Sequence, residues 1–86
     1  MVLEKKTVWL IMSKDRQYVA KGSPRNRWMI DVNDKKDRKR FLTYSSKGMA
    51  EANFKNSGFY GDVRPRGAAP EDYYEAVECE MTLNLI

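Results

Sequence analysis

The sequence contains no histidine, and that absence removes the commonest general base and metal ligand from any catalytic reading of the chain. Its single cysteine, Cys79, forms neither an intrachain disulfide nor a thiolate cluster, so no covalent framework supports the fold and a reducing, cytoplasmic setting is expected. Long hydrophobic runs are missing as well. Near the N-terminus the longest spans Val8 to Met12, short of a secretory leader's apolar segment and far short of the ~20 residues that cross a bilayer, so neither a targeting segment nor a membrane partner is expected. There is no internal repeat and no low-complexity tract, and the 86 residues suffice for one domain (1–86) but not two.

What is present fits a small folded domain. The chain is 42% apolar and 33% charged, and five tyrosines, two tryptophans and three phenylalanines argue against a disordered one. Charge is divided unevenly. Between Lys21 and Lys47 nine Lys or Arg face three Asp, a balance of +6, whereas Glu71 to Glu80 holds five acids and no base. A basic stretch points to nucleic acid or another acidic partner; the acidic one screens it or meets a basic segment of another copy.

Thr7 to Met12 (TVWLIM) is β-branched and aromatic, with apolar groups on both faces, as suits a central strand under a helix. A polar turn at Ser13 to Arg16 leads to a return strand at Gln17 to Lys21, which Gly22-Ser23-Pro24-Arg25-Asn26 ends, Gly22 permitting positive φ. The stretch from Trp28 to Gly58 then reads as the organising unit. Trp28, Ile30 and Val32 share one strand face, taken as the core face, and Met29, Asp31 and Asn33 share the other. The turn from Asn33 to Arg38 has no apolar residue, and its Asn and Asp fold side chains back onto the local backbone. Arg40 to Tyr44 is the expected second strand of this hairpin.

A short amphipathic helix follows. Ser45 or Ser46 caps it, Met49, Ala50, Asn53, Phe54 and Ser57 share its inward face with Phe54 as anchor, and Gly58 ends it. Residues 61–70 contain two prolines and two glycines and read as a loop. Pro70-Glu71-Asp72 suits one turn of helix, and from Val77 onward alternation gives a half-buried strand with Cys79, Val77 and Met81 on one face.

Candidate chemistry is sparse. Cys79 is a nucleophile only if a basic neighbour lowers its pKa, and its alternation with Val77 and Met81 instead makes it a packed core thiol. Ser45 and Ser46 read as caps because no base accompanies them, and Glu78 and Glu80, sharing a strand face, read as solvated rather than as an acid–base pair or a hard-cation site. Gly58-Phe59-Tyr60-Gly61 lacks the Lys-Ser/Thr ending of a phosphate loop and reads as a cap and turn. The strongest functional feature is the run Lys35, Lys36, Arg38, Lys39 and Arg40, with Arg25 and Arg27 near the other end of the hairpin and Lys47 at the helix start. These cations suit phosphates, and Trp28, Phe41 and Tyr44 offer stacking faces. The competing reading is a solvated turn, diluted by Asp34 and Asp37, with the aromatics turned inward.

In Tyr18-Val19-Ala20-Lys21-Gly22, in Leu42-Thr43-Tyr44-Ser45-Ser46-Lys47-Gly48 leading to Asn56-Ser57-Gly58-Phe59-Tyr60, and in Val77-Glu78-Cys79-Glu80-Met81, the chain resembles small uncharacterised proteins encoded by phages and prophages of Gram-positive bacteria. The resemblance implies a compact strand-rich domain and transfers no functional residue. Paired strands before a helix also look like the sheet-plus-helix DNA-binding domains at the N-termini of some phage and transposon integrases, a likeness of layout only.

These readings combine into an α+β domain: a four- to five-stranded, mainly antiparallel sheet of two hairpins and a C-terminal strand, with one helix packed on a face. The expected function is that of a non-enzymatic binding module without metal or small-molecule cofactor. Nucleic acid is the leading partner; the alternative is another protein or a second copy, met through the acidic C-terminal strand or a sheet edge.

Overall fold

The computed structural model describes residues 2–56 and 58–84. Its elements are β1 (Val2–Ser13), β2 (Tyr18–Gly22), β3 (Arg27–Asp31), α1 (Lys47–Asn56), α2 (Pro70–Tyr73) and β4 (Tyr74–Asn84). The four strands form one antiparallel sheet in the order β3-β2-β1-β4, with helices packed on it, so the expected α+β class is the observed one.

The β1–β2 turn is held by short polar side chains. The Ser13 hydroxyl donates to Asp15 Oδ1 at 2.6 Å and accepts from the Tyr18 N–H at 3.0 Å, while Asp15 Oδ1 also accepts from the Gln17 N–H at 2.9 Å. These donors, the Ser13 hydroxyl first, hold the Asp15 carboxyl below its usual range. At the next turn Gly22 adopts a φ of 116°, and a Cβ there would stand 2.2 Å from the Asn26 carbonyl oxygen, so only glycine fits.

The second hairpin is not formed as the sequence suggests. β3 pairs with β2, and residues 40–44 turn away from β3 to enter the gap where β1 and β2 splay apart. There Trp9 and Tyr44 exchange N–H···O bonds of 2.8 and 2.9 Å, the Leu42 N–H donates to the Ala20 carbonyl at 3.1 Å, and the Gly22 N–H donates to the Arg40 carbonyl at 2.8 Å. The segment thus replaces the missing β1–β2 ladder, which has a single paired position at Met12 and Val19. Burial explains the choice: Leu42 and Tyr44 enter the core from this gap.

That core lies between the sheet and α1 and contains Ile11, Ala20, Met29, Leu42, Tyr44, Ala50, Phe54, Phe59 and Tyr74. Helix α1 is capped by Ser46, whose Oγ accepts from the Met49 N–H at 3.2 Å, and it lays Ala50 and Phe54 on the sheet. Met49 is exposed instead, and Ser57 lies outside the described residues. The single turn of α2 leads directly into β4, which begins at Tyr74 rather than Val77 and pairs with β1 along almost its whole length. No described helix is long and apolar enough to cross a membrane.

Two expected faces are reversed or uncovered. In β3 it is Met29, paired with Ala20, that turns into the core, leaving Trp28, Ile30 and Val32 on the face away from α1, with Val32 exposed. Cys79 pairs with Val8 on that same outer face and is exposed, so it is not a packed core thiol. Helix α1 covers the face carrying Ile11, Ala76 and Tyr74, and among the described residues no element covers Cys79 from the other side.

Candidate nucleic-acid interface

The basic loop, residues 32–40, is built by its own acids. The Asp31 carboxylate accepts from the Asn33 N–H at 2.8 Å, and Asp34 Oδ1 accepts from the N–H groups of Lys36 and Asp37 at 3.0 and 3.2 Å. Asp37 Oδ1 accepts from the Lys39 N–H at 2.9 Å. A carboxylate two or three residues upstream satisfies backbone donors that have no ladder partner, which is why Asp recurs through this loop.

Asp37 also turns inward. Its side chain is only 6% exposed, with the Lys39 ammonium 3.0 Å and the Lys21 ammonium 3.8 Å from its oxygens. The hydrogen bond from Lys39, with smaller contributions from both ammonium charges, holds the Asp37 carboxyl below its usual range. Asp37 therefore lies beneath the loop's outer surface, whereas Asp34 stays exposed among the projecting cations with its Oδ1 bonded to backbone.

The eight sequence candidates separate into distinct groups. Arg25, Lys35, Lys36, Arg38 and Arg40 are exposed and make no salt bridge among the described residues. Lys39 is exposed but engaged by Asp37, and its ammonium lies 5.1 Å from the Trp28 ring centroid. Lys47 pairs with Glu51 on α1 at 3.8 Å, away from the loop. Arg27 is buried: its guanidinium donates to the Asn53 carbonyl and side-chain oxygen at 3.3 and 3.1 Å and to the Gly58 carbonyl at 3.3 Å, and sits 5.0 Å from the Phe59 ring centroid. Arg27 ties α1 to β3, a structural task that takes it off the interface.

Of the three aromatic candidates, Tyr44 is buried in the core, where desolvation pushes its hydroxyl pKa up and the nearby Arg27 guanidinium offsets part of the rise. Trp28 and Phe41 are on the outer face, and the structure adds Tyr60. Lys21 is the cross-strand partner of both Trp28 and Phe41, and Trp28 pairs in turn with Tyr60. Phe41, Lys21, Trp28 and Tyr60 thus stand in one row across four adjacent chain segments. The rings are 56%, 37% and 55% exposed for Phe41, Trp28 and Tyr60, whereas Lys21 lies low between them with its ammonium 4.6 Å from the Phe41 centroid. Trp28 and Tyr60 have their centroids 4.8 Å apart at an interplanar angle of 32°.

The backbone fixes the Tyr60 end of the row. Tyr60 donates to the Arg27 carbonyl at 2.8 Å and accepts from the Met29 N–H at 3.0 Å, and Gly61, at a φ of 67°, turns the chain away. Tyr60 and Lys21 are the residues that sequence reasoning missed. A local sign existed for the first, since an extended Phe59-Tyr60 pair must send its rings to opposite faces, and Phe59 is the buried member.

No family model, curated protein or solved structure matches the chain.

Proposed function

We propose that this chain is a small, non-enzymatic nucleic-acid-binding module acting in the cytoplasm. The observation that carries the reading is the disposition of charge in residues 25–40. Five exposed cations, Arg25, Lys35, Lys36, Arg38 and Arg40, have no carboxylate partner among the described residues, while the acids of the same stretch are turned to backbone or inward. Such a surface neutralises phosphates and gains free energy by releasing their counterions. The lone cysteine supports the cytoplasmic setting.

The test is the double variant Lys36→Glu, Arg40→Glu. Both residues are exposed, so the melting temperature should hold. With up to five phosphates engaged, log K for duplex DNA should fall with log[salt] at a slope of about −4 to −5 in the unaltered chain, and the variant should bind more weakly with a flatter slope. Equal affinity and slope in the two proteins would exclude the loop as the binding surface.

One observation favours a second reading, a protein-interaction module. β4 is the terminal strand of the sheet, paired with β1 on one side only, and Glu78 and Glu80 are exposed along it. An open edge of this kind accepts an added strand. Sedimentation that shows concentration-dependent self-association, abolished by changes at Glu78 and Glu80, would support it over the first.

A further inference from the structure

We infer that the ligand is single-stranded nucleic acid, with its bases stacked on the row formed by Phe41, Trp28 and Tyr60; this rests on the nucleic-acid reading above and names the form of the strand. Three aromatic residues between 37% and 56% exposed on one sheet face are costly to leave in water unless something flat and apolar covers them, and the surrounding charge selects what that is. Lys21 and Lys39 lie against the rings themselves, and Arg38 and Arg40 flank Lys39 in the chain. Arg25 sits in the turn just beyond the Gly22–Arg27 pair, one position past the row. An apolar peptide would leave Arg25, Arg38 and Arg40 without partners. A polyanion whose monomers each carry a π-face satisfies both rings and cations.

The geometry also distinguishes single strands from duplex. Phe41 and Trp28 are separated by two strand spacings, ~10 Å across the sheet, far more than the ~3.4 Å rise between stacked bases in a duplex. Bases that reach both Phe41 and the Trp28–Tyr60 pair are splayed out of a continuous stack, which a duplex forbids and a single strand allows. Lys39, now above Trp28 and bonded to Asp37, is placed to turn from the ring to a phosphate as a base takes its position, because its stem is long and the residue is exposed. The row thus reads bases by their faces, without hydrogen bonds to their edges, and selects strandedness rather than sequence.

The experiment is titration of the full chain with three labelled oligonucleotides of one sequence, as single-stranded DNA, single-stranded RNA and duplex DNA, at two salt concentrations. The variants are Phe41→Leu, which keeps apolar volume and removes the ring, and Tyr60→Ala. We expect single strands to bind at least about tenfold more tightly than duplex, and each variant to lose roughly five- to hundredfold in single-strand affinity with its salt slope unchanged, since stacking releases no counterions. Binding of RNA alone, of DNA alone or of both, with that dependence on the rings, supports the inference and identifies the sugar. Duplex bound as tightly as single strands, or single-strand affinity unaltered in both variants, overturns the stacking row and leaves the phosphate-binding loop standing. No binding of any oligonucleotide by the unaltered chain overturns both. Melting curves of the two variants, expected to overlay that of the parent for Phe41→Leu, ensure that lost affinity is not lost fold.

Discussion

The Lys21 ammonium lies 3.8 Å from Asp37 Oδ1 beneath the aromatic row, so a carboxylate from the basic loop is held by a lysine of the sheet. This contact, with the Lys39 ammonium over the Trp28 ring, docks the loop on the outer face. Because the folded-state pKa of Asp37 is depressed below its ordinary 3.8, its contribution to stability is present above that value and is lost as pH falls through the lowered one. Asp37→Asn should therefore melt at a lower temperature near neutral pH and lose less on acidification than the parent. Asp15, also depressed, keeps part of the acid sensitivity in the variant. Parallel curves of melting temperature against pH for the two proteins would show that Asp37 does not dock the loop.

Cys79 should react readily in the native protein, because its thiol is exposed on the uncovered face of β4. A thiol reagent is expected to label native and denatured chains at similar rates, and Cys79→Ser should change stability by less than about 0.5 kcal/mol. Strong native protection would mean that another surface covers this strand in solution.

Tyr44 carries a hydroxyl that is buried without a hydrogen-bond partner among the described residues. Tyr44→Phe removes that polar atom and keeps the ring, so it should raise stability, by up to about 1–3 kcal/mol. A lowered denaturant midpoint would reveal that the nearby Arg27 guanidinium uses the hydroxyl after all.

Phe54 is almost wholly buried between α1 and the sheet. Truncation to Ala should cost about 3–5 kcal/mol, enough to unfold much of so small a domain at ambient temperature, as circular dichroism would report.

Local chemistry was legible in the sequence. The Ser46 cap, the Ala50 and Phe54 face, the positive φ of Gly22 and the backbone-directed carboxylates of the basic loop follow from what each residue does to its own neighbours. Faces were less so. β3 carries apolar residues on both sides, so alternation alone does not say whether Trp28 or Met29 meets the helix, and the choice is made by Ala20 and α1. Alternation likewise placed Cys79 with Val77 and Met81 but not whether anything covers them. The aromatic row was hidden for a different reason: its members come from β2, β3, the 40–44 insertion and the chain after α1, and only the non-local pairing of residues 40–44 and 60 aligns them. Half of the candidate site, its cations, was a matter of composition; the other half was a matter of topology.

Amide chemical-shift mapping with a short single-stranded oligonucleotide tests the central claim most directly, because it reports where on the fold the strand lies. Perturbations should be concentrated at Lys21, Trp28, Phe41 and Tyr60 and through residues 34–40, with β4 beyond Val77 unaffected. Shifts along β4 with a silent aromatic row, or no shift anywhere at low salt, would contradict it.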